Sequence, residues 1–176
     1  MKSTYLLIQD HRLIIRCLDV LDRIAASVYD GGHIDAKDVE AIVRFIRGFA
    51  DNYHLAKEES ALFPEMLRTA PPPDNPLHHL LFQHDQARSL VEAIEDALLT
   101  QQAAEFVQFA RRLSSLIRHH IETEENVLYV SAARSMTPEQ DEQIAMEISK
   151  FQADPSYVAD LRRLERKYLN QTPACA

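Results

Sequence analysis

Tyr53-His54-Leu55-Ala56-Lys57-Glu58-Glu59 sets an imidazole and a carboxylate four residues apart. On a helix this spacing stacks the two side chains on one face, one turn above the other, so both donors can reach a common point. The arrangement returns at His120-Ile121-Glu122-Thr123-Glu124, and single histidines, His11 and His84, lie before the first pair and between the two. The order along the chain is therefore His, His-x-x-x-Glu, His, His-x-x-x-Glu. Four imidazoles and two carboxylates brought to one place would grip metal.

A lone histidine on an apolar face is usually a hydrogen-bonded core residue, but six polar groups together are harder to accommodate. Each buried group left unsatisfied costs about 1–3 kcal/mol, against a net stability of about 5–15 kcal/mol for a whole domain. Mutual His–Glu ion pairs often do no more than offset their own desolvation. Metal coordination satisfies all the donors at once and couples binding to folding. The set His11, His54, Glu58, His84, His120 and Glu124 suggests two metal ions, each held by two histidines and bridged by Glu58 and Glu124. Mixed nitrogen and oxygen ligation with unfilled positions suits non-haem iron ahead of manganese, with zinc possible. A single zinc ion takes about four ligands and would leave some of the set unused. The ferritin-type spacing Glu-x-x-His is absent from the sequence.

Positioning these residues takes long helices. Leu7, Ile14, Ile15, Leu18, Leu21, Ile24, Ala25 and Val28 recur at helical spacing with His11 in the gap, and Asp30-Gly31-Gly32 stops the run. Asp35 can cap a second helix whose stripe runs Val39, Ile42, Val43, Ile46, Ala50, His54, Ala61, and Pro64 is expected to kink or end it. Pro71-Pro72-Pro73 makes a stiff connection, and Asn75-Pro76 reads as the cap and first position of a third helix carrying Leu77, Leu80, Leu81, His84, Ala87, Val91, Ile94 and Leu98. Thr100 is expected to restart the chain into a fourth helix with Phe106, Phe109, Ala110, Leu113, Ile117, His120, Glu124 and Leu128 inside, ending near Ala133. Thr137-Pro138-Glu139-Gln140 and Asp154-Pro155 open two shorter helices, the second with Tyr157, Val158, Leu161, Leu164 and Tyr168.

The expected fold is all-α: an up-down-up-down four-helix bundle over residues 1–134, with a C-terminal helical extension over 135–176 packed on it. In such a bundle the starts of helices one and three lie level with the ends of two and four. His11 and His84 fall about eight residues, or roughly 12 Å, into their helices, and Glu58 and Glu124 lie at comparable depth from the other end. One layer can hold all six groups.

With 176 residues and 46% hydrophobic content, the chain is long enough for one domain with a real core. A formal charge of −8 and the lack of a long Lys/Arg run argue against nucleic acid or an anionic membrane as partner. Cys17 and Cys175 are too few for a disulfide framework, and Cys17 borders an apolar stripe as a small core residue would. Gln9, Asp10, His11 and Arg12 interrupt the first apolar run, so it is neither a signal peptide nor a span, and a cytoplasmic protein is expected.

The pattern resembles the hemerythrin-like family, the HHE cation-binding domain. The resemblance covers about residues 5–133 and is carried by Asp10-His11-Arg12, His54 to Glu59 followed by Leu62-Phe63-Pro64, Gln83-His84-Asp85, and His120 to Glu125. It implies a non-haem centre of two iron ions, bridged by the two glutamates and an oxo or hydroxo group, in a four-helix bundle. The oxygen-carrying members have a second histidine one turn from the third-helix histidine, where this chain has Leu80 and Arg88. That departure brings the chain closer to relatives linked to nitric oxide, peroxide or iron handling. Glu59 and Glu125 each lie about 100° around the helix from their neighbours, which puts them in solvent or behind a ligand. His78, His79 and His119 read as surface residues or supports for a ligand, His33 as an unpartnered loop residue, and Tyr53 and Arg88 as possible pocket lining.

Three functional readings stay open at this point. The first is a di-iron protein that binds or senses a small diatomic or peroxide ligand such as dioxygen or nitric oxide. The second is a redox enzyme acting on peroxide, dioxygen or nitric oxide. The third is an iron donor for iron–sulfur cluster repair.

Overall fold

The computed structural model describes residues 1–69 and 76–170. The expected proline connection at 71–73, the Asn75 cap and Cys175 lie outside the described residues. Among the described residues there are six helices and no strand. Helix α1 is Lys2–Tyr29. Helix α2 is one continuous rod assembled from Ala36–Phe45, Ile46–Leu55, Glu58–Leu62 and Phe63–Thr69. Helix α3 is Leu77–Leu99, and α4 joins Ala103–Thr123, Glu124–Leu128 and Tyr129–Ser135. Helices α5, Pro138–Ile148, and α6, Pro155–Tyr168, complete the chain. None is long and apolar enough to cross a membrane.

Local signals account for most boundaries. Gly31 takes a φ of 90° at the end of α1, a conformation open to glycine at no steric cost. The Asp35 side chain accepts from the Asp38 amide to start α2, and Thr137 with Gln140 forms a capping box at the start of α5. Asp154 caps α6 through the Ser156 amide.

Two expectations need correction. Pro64 does not end α2, which runs through it to Thr69. A proline ring collides with the carbonyl four residues back in an α-helix. Here Glu58–Leu62 is wound as a π turn, with the Phe63 amide reaching the Glu58 carbonyl five residues back, and the wider turn makes room for the ring. Thr100 does not start α4: its amide and hydroxyl both return to the Asp96 carbonyl, Gln101 turns with a φ of 56°, and the helix begins at Ala103.

The core has two apolar parts. The smaller gathers Leu7 from early α1, Leu62, Phe63 and Met66 from late α2, Leu80 from early α3, and Leu128 and Ala132 from late α4. Starts of odd helices meeting ends of even ones make the bundle up-down-up-down. The larger part includes Leu18, Leu21, Ile42, Phe49, Ile94, Phe106 and Leu113. Helix α5 closes the smaller part with Ile144 and Ile148, and α6 covers the larger with Leu161 and Leu164. Asp141 ties α5 to α1, accepting from the Lys2 amide at 2.7 Å and the Ser3 amide at 3.0 Å. Asp38 ties α2 to α6, accepting from Arg163 and Tyr168 at 2.8 Å each and from Lys167. Cys17 is buried in the larger part, where desolvation pushes its thiol pKa up and favours the neutral thiol.

Candidate metal centre

Between the two apolar parts lies a polar layer. His11, His54, Glu58, His84, His120 and Glu124, contributed by α1 to α4, are all buried, and both glutamates are fully sealed from solvent. One π-wound segment of α2 begins at Glu58 and that of α4 at Glu124, the two carboxylates of the layer, while a longer one in α2, Ile46–Leu55, carries His54.

His54 Nε2 lies 3.4 Å from Glu58 Oε1, and His120 Nε2 lies 3.3 Å from Glu124 Oε1, which realises the four-residue spacing of the sequence. Across the bundle His11 Nε2 approaches Glu124 Oε2 at 3.2 Å, and His84 Nε2 approaches Glu58 Oε2 at 3.7 Å. The His84 and His120 Nε2 atoms face each other at 3.2 Å. Two sets of four donors result, His11/His54/Glu58/Glu124 and Glu58/His84/His120/Glu124, with all ligand atoms in each within 4.8 Å of one another.

The six residues fit metal ions. His54 Nε2, Glu58 Oε2 and both oxygens of Glu124 are buried without a hydrogen-bond partner, a costly arrangement unless something else satisfies them. Adjacent ligands about 2.1 Å from a shared ion lie about 3 Å apart, close to the shorter donor separations in this layer. The family model for the hemerythrin HHE cation binding domain matches residues 3–131. The chain belongs to the hemerythrin HHE family. No curated protein and no solved structure gives a significant match.

Each outer nitrogen of the four histidines in this hemerythrin domain is held by a separate acceptor. His11 Nδ1 meets Glu125 Oε1 at 2.8 Å, and His84 Nδ1 meets Glu59 Oε1 at 2.7 Å. His54 Nδ1 meets Asp10 Oδ2 at 3.3 Å, and His120 Nδ1 meets Gln83 Oε1 at 3.1 Å. With Nδ1–H donated outward, the Nε2 lone pair is left for the centre of the layer. Glu59 and Glu125 thus stand behind His84 and His11, one of the two places expected of them. Glu59 also accepts from Arg88 at 2.8 Å, and Gln83 meets His79 Nε2 at 3.1 Å. His78, His119 and His33 are exposed and away from the layer.

The electrostatics are those of charged groups confined together. Burial, reinforced by the Glu124 charge, pushes the Glu58 carboxyl well above the usual range. Burial pushes Glu124 up as well, but His120 and His11 outweigh it and hold that carboxyl well below the usual range. Burial lowers His11, yet Glu124 and Glu125 lift it to about 9. Burial takes His54 down to about 4.

Three contributors were not assigned from sequence. The buried Tyr129 hydroxyl donates to Glu58 Oε1 at 3.0 Å, and its ring stacks on His11 at 5.9 Å. Asp10, besides holding His54, accepts from the buried Lys57 ammonium at 2.7 Å. Lys57 also sits 3.3 Å over the Tyr53 ring, which accounts for Tyr53 without giving it a place in the pocket. Gln83 completes the three. A signal for them lies in the repeat itself. Asp10 and Gln83 each precede a single histidine, and Tyr129 stands five residues after Glu124 as Phe63 does after Glu58. Phe63 stacks on His84 at 5.6 Å, as Tyr129 does on His11.

Proposed function

We propose that this hemerythrin domain holds two iron ions and binds or senses a small ligand such as dioxygen, nitric oxide or peroxide. Buried donor atoms without partners, in two sets of four that share both glutamates, support the reading most directly. His11 and His54 would hold one ion, His84 and His120 the other, with Glu58 and Glu124 spanning both. When bound, the iron pair supplies redox-active sites open to a small ligand. The chain's own residues orient the donors and exclude water. Asp10, Glu125, Glu59 and Gln83 hold the outer histidine nitrogens, and Tyr129 keeps a proton on its hydroxyl beside Glu58.

A second reading, redox turnover of peroxide, dioxygen or nitric oxide, is favoured by the positions flanking His84. Leu80 is packed in the smaller apolar part, and Arg88 is engaged by Asp51 and Glu59, so neither replaces the carriers' fifth histidine. More coordination positions would then be left to ligand. The test is metal content per chain in protein produced with ample iron, measured with the visible spectrum before and after nitric oxide is added to the reduced form. Two irons and a spectroscopic nitric oxide adduct support binding. One zinc or no metal overturns both readings, and consumption of peroxide or nitric oxide above the free-iron background selects the enzyme.

A further inference from the structure

We propose that the exposed His79, acting through Gln83, sets which ring nitrogen of His120 carries the proton, so that protonation of His79 loosens the hold on an ion at the His84/His120 side. The effect on an ion rests on the di-iron reading above; the hydrogen-bonded chain from His79 to His120 does not.

The four acceptors behind the histidines are not chemically alike. Asp10, Glu59 and Glu125 present carboxylates, which accept at both oxygens, so His54, His84 and His11 are each left one choice, an Nδ1–H donated outward. Behind His120 stands Gln83, whose amide accepts at one end and donates at the other. A half-turn about its last bond exchanges the two ends with little other motion. Gln83 by itself therefore leaves the His120 tautomer open.

The far end of the amide decides it. Gln83 Nε2 meets His79 Nε2 at 3.1 Å, while Gln83 Oε1 meets His120 Nδ1 at 3.1 Å. The amide nitrogen only donates, so in this arrangement His79 presents a lone pair at Nε2. The carbonyl end is then turned to His120, which donates Nδ1–H and keeps its Nε2 lone pair for the layer. Gln83 is buried, whereas His79 stands at the surface within reach of solvent protons.

Protonation of His79 reverses the chain. Its Nε2 then carries a hydrogen, and the buried amide donor faces another donor, which is costly. Turning the amide relieves both: the carbonyl accepts from His79, and the amide nitrogen donates to His120 Nδ1. His120 gives up its Nδ1 proton and takes one at Nε2, with no net change in its charge. That Nε2–H faces Glu124 Oε1, 3.3 Å away and otherwise without a partner. One proton gained at His79 thus withdraws two donors, His120 Nε2 and Glu124 Oε1, from the Glu58/His84/His120/Glu124 set.

Other titratable groups within about a turn of this level are engaged elsewhere or lie in water. Glu124 is in the layer, Glu125 on α4 holds His11, and Glu59 on α2 holds His84 and Arg88. His78 on α3 and His119 and Glu122 on α4 are exposed. Among the described residues none of these pairs with His79, whose ring meets Gln83.

The test follows iron release from the reduced, iron-loaded full chain to a ferrous chelator at pH 8 and pH 6, which spans much of the range in which imidazole changes charge. Histidine ligands bring a pH dependence of their own, so the unmodified chain is compared with His79→Gln, which keeps an acceptor that does not titrate, and with His79→Lys, which puts a permanent donor there. Between pH 8 and pH 6, one release phase should quicken about fivefold more in the unmodified chain than in His79→Gln, equivalent to about 1 kcal/mol at about 1.4 kcal/mol per tenfold. His79→Lys should release that ion about fivefold faster than the unmodified chain already at pH 8. In the metal-free chain at pH 8, nitrogen NMR of the rings should place the His120 proton on Nδ1 in the unmodified protein and on Nε2 in His79→Lys. The same pH ratio in the unmodified chain and His79→Gln overturns the proposal. A His120 tautomer that ignores His79→Lys also overturns it, while iron loading in that case keeps the di-iron reading. A chain that takes up no iron but shows the tautomer change overturns the di-iron reading and the effect on an ion, and keeps the control of His120 by His79.

Discussion

Around His11 and His54 stand Asp10, Lys57 and Tyr129; at the equivalent positions around His84 and His120 stand Gln83, Thr123 and Phe63. The first half backs His54 with a buried carboxylate and ammonium and gives His11 a hydroxyl neighbour. The second backs His120 with a neutral amide and stacks a plain phenyl ring on His84; an apolar cavity borders both of its histidines but only His54 of the first half. A carboxylate behind an imidazole raises its basicity and fixes its tautomer more strongly than an amide does. On the proposed di-iron reading, the first half would hold its ion the more firmly and the second would leave its ion the more open to ligand.

The largest effects should come from the layer itself. His54→Ala and His120→Ala are each expected to lose metal, and with it the stabilisation from binding, about 4 kcal/mol per site at a thousandfold excess over Kd. His33→Ala should do neither. Metal analysis with thermal melts checks this, and equal metal in all three variants would refute the ligand assignment. If the halves divide as described, His120→Ala should spare more of the metal than His54→Ala.

Lys57→Met should cost about 3–5 kcal/mol, because Asp10 is then a buried charge without its cation. Thr123→Val, at the equivalent position, should change stability by about 0.5 kcal/mol or less, since the Thr123 hydroxyl only returns to the His119 carbonyl of its own helix. Urea unfolding of both would measure the asymmetry directly, and equal costs would remove it.

A clamp remote from both halves provides a control. Burial raises the Asp38 carboxyl, but Lys167, Arg163 and Tyr168 outweigh it and hold it at about 2, below its ordinary 3.8. A carboxyl depressed on folding contributes stability that is fully present above about pH 4 and is lost as pH falls toward 2. Asp38→Asn should therefore lower stability by about 1–3 kcal/mol at pH 7 and flatten that acid limb. Metal content at pH 7 should stay at the unmodified level, unlike a change in either half.

The smallest effect tests the aromatic pair. Tyr129→Phe makes the two halves alike at this position and removes the donor to Glu58 Oε1, at about 1 kcal/mol in the metal-free protein. A melt shifted by several kcal/mol would mean that the hydroxyl anchors more than one carboxylate oxygen.

Much of this was legible in the chain. Helical spacing located the four long helices and put His11, His54, Glu58, His84, His120 and Glu124 on their inner faces, because the 3.6-residue period is local. Caps at Asp35, Thr137 and Asp154 were legible because a cap is a contact between residues two or three apart. Pro64 and Thr100 misled because each was read by its ordinary preference, and a π turn and a left-handed Gln101 altered the backbone around them. Asp10, Gln83 and Tyr129 carried only the weaker signal of equivalent positions in a repeat.

By itself, the sequence determined which side chains face inward, their order, and the layer at which four helices of this length bring them level, since all of these follow from period and length. Tertiary structure decided which acceptor stands behind each histidine, that Lys57 is buried against Asp10, and that Ala50 and Ala87 leave a space next to His84 and His120. Those facts depend on how neighbouring helices are rotated and spaced to within about an ångström. That is a property of the packed whole, and no single helix encodes it.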